Sequence, residues 1–536
     1  CQPLIIGELY GGGYQAPYSV YGCTQSGDTW TANESGTLHF DQKARGRAAI
    51  EVNVFSCTSI GKVFGGGYGA TARVVGNTNV WINMMKGTVD GTMQPGIGKI
   101  GQVFGGGNAA TVKGNTTIDI GTATVYGYNA EDPATDIGVN ITSGTYTSSS
   151  EGTYLSPTAD EYIPITAGVY GGGYSADVEG NTTLNIGTVN QNLGVTIEGD
   201  IFGGGYGEST TVTGDVEVNI GKRTNTAEEG QPASYTYAGY ATITGDVYGG
   251  SAKGKVNATK GGTAESPTFS ATAGKTTSVN LYGGTLTGNL YGGGLGDAEN
   301  SYAADSYGPV TVTVEGGSVT NVFGCNNVLG SPQGTAAVAL NGGTVQHDVY
   351  GGGNQAAYTG TGGVSVTLNG GTVGRDVFGG GLGATAIVNG ATSVSLNGGT
   401  VQRDVYGGGS LGNVTEAVTV ALNGGTVQHD VYGGGLGQLA ADAVGTEDEE
   451  GYVPAKSAVA ANVVGPVTVT VTGGRAANVF GCNNINGAPQ QTVDVVIGTR
   501  TGAPASYTYG GTAIVSGSVY GGGNVAAYTG NPTVTL

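Results

Sequence analysis

The residues best suited to chemistry in this 536-residue chain recur at fixed intervals instead of occurring once. Asp348, Asp376, Asp404 and Asp430 each stand directly before a Val-Tyr or Val-Phe pair, at steps of 28, 28 and 26 residues. Carboxylates gathered in register offer oxygen ligands to a hard cation such as calcium. Like charges stacked in register also repel, so they need exposure, a cation or basic neighbours. Arg375 and Arg403 adjoin two of the aspartates, and His347 and His429 adjoin the other two. A solvated acidic edge is therefore the expectation, with calcium as the alternative. The glycine-and-aspartate nonapeptide of calcium-binding β-rolls is not met, because Gly292-G-G-L-G-D-A-E-N places no aspartate at the right offset. Catalysis has fewer candidates still. Of the three histidines, His39, His347 and His429, the last two occupy equivalent repeat positions, whereas a catalytic residue is normally unique. There is no nucleophile elbow, zinc-binding helix or complete P-loop. No catalytic or cofactor-binding residue is assigned, and the chain is expected not to be an enzyme.

The elements that carry these residues follow from a second recurrence. Phe323, Tyr350, Phe378, Tyr406 and Tyr432, each followed by glycine, are 27, 28, 28 and 26 residues apart. Elsewhere the same motif recurs at 32 to 66 residues, which implies insertions in a unit of about 27 residues, or degenerate coils hidden in the longest gaps. One clean unit runs from Val377 to Asp404 and holds three runs of strand character, at 400–406, 384–388 and 392–396, between glycine punctuation. Val394 and Leu396 alternate with Ser393 and Ser395, and Val364, Val366 and Leu368 with Ser365 and Thr367, so one face of each strand is apolar. A single ring of three short strands has no second layer to bury that face against. Stacking equivalent coils about 4.8 Å apart solves the problem. The expected fold is all-β: a parallel β-helix with three short strands per coil, forming a single continuous solenoid over residues 1–536.

Asn341, Asn369, Asn397 and Asn423 each precede Gly-Gly at 28, 28 and 26 residues and so fall at one corner of successive coils. Asparagine tolerates the left-handed conformation of a sharp corner, and its amide can bond the amide one coil away. For the aromatic column, strand alternation puts Tyr406 outside if Val405 is inside, unless a bend intervenes. An outward stripe would bind glycan rings or pack a neighbouring rod; an inward one would be a buried stack. Tyr and Phe interchange along the column, which suggests that the hydroxyl is not needed.

Composition agrees with a turn-rich repeat. The chain has 108 glycines, 11% charged residues and 15 scattered prolines, which excludes collagen, while the regular apolar runs exclude disorder. A net charge of −20 and a pI near 4.4 disfavour nucleic acid and anionic lipid as partners. No apolar run is long enough for a membrane span, and no signal-peptide pattern is visible. Cys1 admits a lipidated N-terminus, but its surroundings parallel those of Cys57, and the chain reads as a segment of a longer protein. Cys325 and Cys482 share the motif F-G-C-N-N and are expected to be small buried substitutes for glycine. A Cys23–Cys57 disulfide is left open.

Insertions near 126–165, 222–242 and 436–464 interrupt the period, the last with an acidic run at Glu447, Asp448, Glu449 and Glu450. I-G-K-R-T-N-T at Ile220 and I-G-T-R-T-G at Ile497 both lead to A-S-Y-T-Y, a duplicated block. Insertions of this kind leave one edge of a solenoid and often carry its binding surface. The strings G-G-T-V-x-x-D-V-Y-G-G-G, N-V-F-G-C-N-N and G-N-T-T-L-N-I-G resemble the large glycine-rich surface repeat proteins of gut anaerobes, especially Bacteroidales. The resemblance covers nearly the whole chain, and its low-complexity motifs identify an architecture more firmly than a relative. It implies a secreted, adhesin-like β-helical protein and carries over no catalytic residue. The expected function is an extracellular or cell-surface fibre, structural or adhesive, with copies of itself and glycans as partners; its uncapped strand edges also suit end-to-end assembly. The alternative is a carbohydrate-binding or carbohydrate-active β-helix.

Overall fold

Coil-on-coil parallel pairing accounts for most of the strands. The computed structural model describes residues 5–19, 49–54, 57–83, 97–122, 162–188, 194–227, 233–263, 265–444, 453–501 and 508–536, with a few short strand segments between them. Two compact units divide the chain, Cys1–Gly288 and Asn289–Leu536, and each is a parallel β-solenoid without a helix among the described residues. In the first unit the longest face is a row of six strands from Ala49–Val54 to Thr277–Leu281, each pairing in parallel with the next. In the second the same face has eight strands, from Val310–Val314 to Thr533–Thr535.

The coil around Thr392–Leu396 shows how the repeat folds. Val366, Val394 and Val420 stand over one another, as do Leu368, Leu396 and Leu422, and all six are buried. Their alternation with half-exposed Ser and Thr is the period of a pleated strand with one solvated face. The chain then turns at Asn397-Gly398-Gly399, forms Thr400–Val401, turns again at 402–404 and forms Val405–Tyr406. The run expected as a strand at 384–388 is reduced to a single bridge at Val388, which pairs with Tyr358 below and Val414 above. The glycines that flank this return side give it too few consecutive extended residues for a ladder.

The asparagine corner forms as expected. Asn369 Nδ2 donates to Asn341 Oδ1 at 2.8 Å, Asn397 to Asn369 at 2.9 Å and Asn423 to Asn397 at 3.1 Å. Glu315 accepts from Asn341 at one end of this run, and Thr472 donates to Asn423 at the other. The left-handed residue is not the asparagine, however. It is the second glycine, with φ of 70° at Gly343, 73° at Gly371, 75° at Gly399 and 71° at Gly425, where the absence of Cβ removes the penalty.

Across the longest gaps the flanking coils pair directly, with no degenerate coil stacked between them. Phe64 pairs directly with Tyr10, Tyr170 with Phe104, Tyr248 with Phe202 and Phe480 with Tyr432. The 222–242 insertion is an antiparallel hairpin of Lys222–Asn225 with Tyr235–Ala238. The one at 436–464 is a ribbon bridged at Gln438–Val459, Ala441–Lys456 and Val444–Val453. Its acidic run, His39, Cys1 and most of 126–165 lie outside the described residues. A further hairpin that the sequence pattern did not reveal pairs Ala258–Gly262 with Pro267–Ala271.

The glycine triplets set how closely coils approach. A Cβ built on Gly380 would lie 2.7 Å from both Cα and N of Gly409 in the next coil, so backbone meets backbone with no side chain able to yield. Gly380→Ala is expected to destabilise the fold by about 1–3 kcal/mol, the usual cost of overpacking, in urea unfolding followed by circular dichroism. Gly7→Ala, where an added methyl meets nothing within 4 Å, is expected to be silent.

Candidate functional site: the aspartate and aromatic columns

Asp348, Asp376, Asp404 and Asp430 occupy the corner between the two short strands of successive coils. Each Oδ1 accepts the backbone N–H of the equivalent residue one coil on: Asp376 N to Asp348 at 2.9 Å, Asp404 N to Asp376 at 3.0 Å, Asp430 N to Asp404 at 2.9 Å, and Asn478 N to Asp430 at 3.0 Å. Asn321 precedes them in the column and accepts from Asp348 N. The second oxygen has a different partner. Tyr350, Tyr406 and Tyr432 donate their hydroxyls to Oδ2 of Asp348, Asp404 and Asp430, two residues upstream, at 3.3, 3.2 and 3.2 Å. Asp376 precedes Phe378 and lacks such a donor; its Oδ2 faces Arg403 Nη1 at 3.5 Å.

The solvated-edge expectation fails at the centre of the column, where Asp376 is 5% and Asp404 9% exposed. Backbone N–H and phenolic O–H groups, more than water, meet these charges. Arg403 also reaches the aspartate of the preceding coil instead of Asp404 beside it. Burial is the main cause that raises the Asp376 carboxyl to about 6 and lifts that of Asp404 above the usual carboxylate range, with Asp430 adding repulsion at Asp404. Burial, reinforced by the adjacent aspartates, likewise holds the Tyr350, Tyr406 and Tyr432 hydroxyls protonated well above their ordinary range. Both oxygens of Asp348, Asp404 and Asp430 thus accept hydrogen bonds, one from a backbone amide and one from a phenol. Among the described residues no group of three or more His, Cys, Asp or Glu is arranged to hold a metal ion.

The aromatic column is inside. In the first unit Tyr10, Phe64, Phe104, Tyr170, Phe202 and Tyr248 stack with centroids 4.6–5.1 Å apart and rings within 9° of parallel. In the second, Tyr291, Phe323, Tyr350, Phe378, Tyr406, Tyr432, Phe480 and Tyr520 stack at 4.7–5.0 Å with rings within 10° of parallel, all buried except Tyr520. Val405 and Tyr406 are both buried although adjacent, because the strand is two residues long and bends at once into the glycine triplet. The chain then folds back over the rings: Tyr68, Tyr174 and Tyr206 lie edge-on to Tyr10, Phe104 and Tyr170 at 5.7–5.8 Å. Inside the stack both faces of each ring are covered by neighbouring rings, so the column offers no platform for a sugar.

The expectation that the hydroxyl is idle is also corrected, since it is the donor to aspartate. A signal for this was present in the sequence. Asp246, Asp348, Asp404 and Asp430 each precede a tyrosine by two residues and accept its hydroxyl, whereas Asn321 and Asn478 precede phenylalanine. The pattern has exceptions: Asn289 precedes Tyr291, and Asp200 before Phe202 and Asp376 before Phe378 both have carboxyls raised mainly by burial.

Cys325 and Cys482 are buried free thiols, as their glycine-like positions suggested, and burial pushes the Cys482 thiol up to about 12. Cys57 is also free and buried, so the disulfide considered with Cys23 is not formed. No known protein family, curated protein or solved structure matches the chain. The class is defined by the fold itself, a repetitive parallel β-solenoid.

Tyr406→Phe strips a donor from a buried carboxylate and is expected to cost about 1–3 kcal/mol in thermal or urea unfolding. Phe378→Tyr supplies Asp376 with the donor it lacks and is expected to raise the midpoint.

Proposed function

We propose that this chain is a non-catalytic structural and adhesive element of a bacterial cell surface, in which stacked coils form a stiff support and the hairpins leaving them make the contacts. The duplicated hairpin carries this reading. Lys222–Asn225 pairs with Tyr235–Ala238 and sets Arg223 opposite Tyr237; Thr499–Thr501 pairs with Thr508–Gly510 and sets Arg500 opposite Tyr509. Both leave the same corner, directly after a long-face strand that ends at Ile220 or Ile497. Tyr235, Tyr237 and Tyr509 are 41%, 37% and 67% exposed. The Arg223 guanidinium lies over Tyr235 at 4.8 Å, holding ring and cation together at the surface. Tyrosine and arginine are over-represented where proteins make energetic contacts, and a chain with a net charge of −20 has few arginines to place by chance. Resemblance to glycine-rich surface repeat proteins supports the extracellular setting, with glycans and further copies of the chain as partners. An interior given over to stacking supports a non-enzymatic role.

A glycan array and sedimentation velocity test this together. Wild-type protein is expected to bind a subset of glycans or to self-associate, and Arg223→Ala with Tyr237→Ala is expected to weaken that interaction at least tenfold while the circular dichroism spectrum is unchanged. Release of reducing sugar from a polysaccharide panel by the wild-type chain would replace this reading with the carbohydrate-active one.

A further inference from the structure

We propose that Asp348, Asp376, Asp404 and Asp430 form a proton-operated clasp, which tightens the stack of coils in the second unit as the pH falls from neutral into the mildly acid range. The geometry fixes the carboxylates in place. Each Oδ1 is tied to a backbone amide of the next coil, so no aspartate can turn to solvent without breaking a bond between coils. Four carboxylates stand on consecutive levels, and the central two are almost fully buried.

The groups that face the column supply little compensating charge. Arg403, itself half-exposed, reaches Asp376 Oδ2 at 3.5 Å. His429 favours the charged form of Asp404, and Arg375 acts on Tyr350. Tyr350, Tyr406 and Tyr432 donate hydrogen bonds without charge. Asn484 donates to the Tyr406 hydroxyl, and Asn524 bonds that of Tyr432. Asn321 and Asn478, at the two ends of the aspartate run, are neutral. Repulsion and desolvation therefore fall mostly on Asp376 and Asp404. Asp376 is the natural first acceptor, because its Oδ2 has no tyrosine hydroxyl to displace when a proton arrives.

The direction follows from linkage. A carboxyl at about 6 in the folded chain, against an ordinary 3.8, stabilises the fold fully below the lower value. It loses that contribution as the pH rises through the upper one. Asp404 is shifted in the same direction.

The test uses the whole chain, with thermal unfolding at pH 7.5, 6 and 5 and potentiometric proton uptake by the folded protein. Three forms are compared: wild type, Asp376→Asn with Asp404→Asn, and a control with Glu416→Gln and Asp442→Asn, which makes the same charge change on exposed side chains. The column variant should fold, because Asn321 and Asn478 already occupy that column. The expected result is a midpoint that rises on acidification in wild type and control. The column variant should be more stable at pH 7.5, lose most of that rise, and take up about one proton fewer, as linkage requires. A column variant that keeps the wild-type rise and uptake would overturn the clasp. So would an equal loss of the rise in column variant and control, which would assign the effect to overall charge.

Discussion

Along the strands and corners of these solenoids a side chain stands over the equivalent side chain one coil away, at the spacing fixed by parallel strand pairing. Ring centroids 4.6–5.1 Å apart and Asn amides bonded at 2.8–3.1 Å are two expressions of that spacing. The contact between glycine triplets of successive coils is a third, and it admits no Cβ between Gly380 and Gly409. A residue is therefore accepted in a column largely according to whether it can stack on its own kind. Valine and leucine can, by dispersion and burial. Aromatic rings can, when offset and parallel. Asparagine can, because its amide carries donor and acceptor at once.

Aspartate cannot, and the way the fold accommodates it explains the site. An ionised carboxylate only accepts, so a ladder of aspartates joined side chain to side chain does not exist. The chain instead gives one oxygen the backbone amide of the next level and the other a tyrosine hydroxyl from two residues on. The aromatic and aspartate columns are thus one hydrogen-bonded unit. Phenylalanine stands beside Asn321 and Asn478, which are neutral, although Asn289 in the same column stands before Tyr291.

Much of this was legible from the chain alone. The period of about 27 residues, the alternation in strands such as Thr392–Leu396 and the asparagine corner are properties of a one-dimensional repeat, and repetition writes them many times over. What was not legible depends on backbone direction within two or three residues. Alternation predicts Tyr406 outward only for a strand longer than Val405–Tyr406. The left-handed position could be Asn397 or either glycine after it, and only the closure of the corner selects Gly399. The return side keeps a single bridge at Val388 because the glycines that flank it leave too few consecutive extended residues.

The same constraint separates stability from recognition. A column position is answerable to the coils above and below, so a side chain cannot be tuned to a ligand without disturbing its neighbours. The hairpin at 222–238 escapes most of that restriction, since it leaves the stack at a corner and its strands pair with each other, touching the next coil through Tyr282. At the aspartate corner the chain keeps a costly residue where a neutral one is tolerated. Asn321 and Asn478 show that a neutral side chain fills the same corner with the same backbone bond. Four consecutive carboxylates, the central pair buried, differ from amides at that corner in one property above all, the ability to take up a proton.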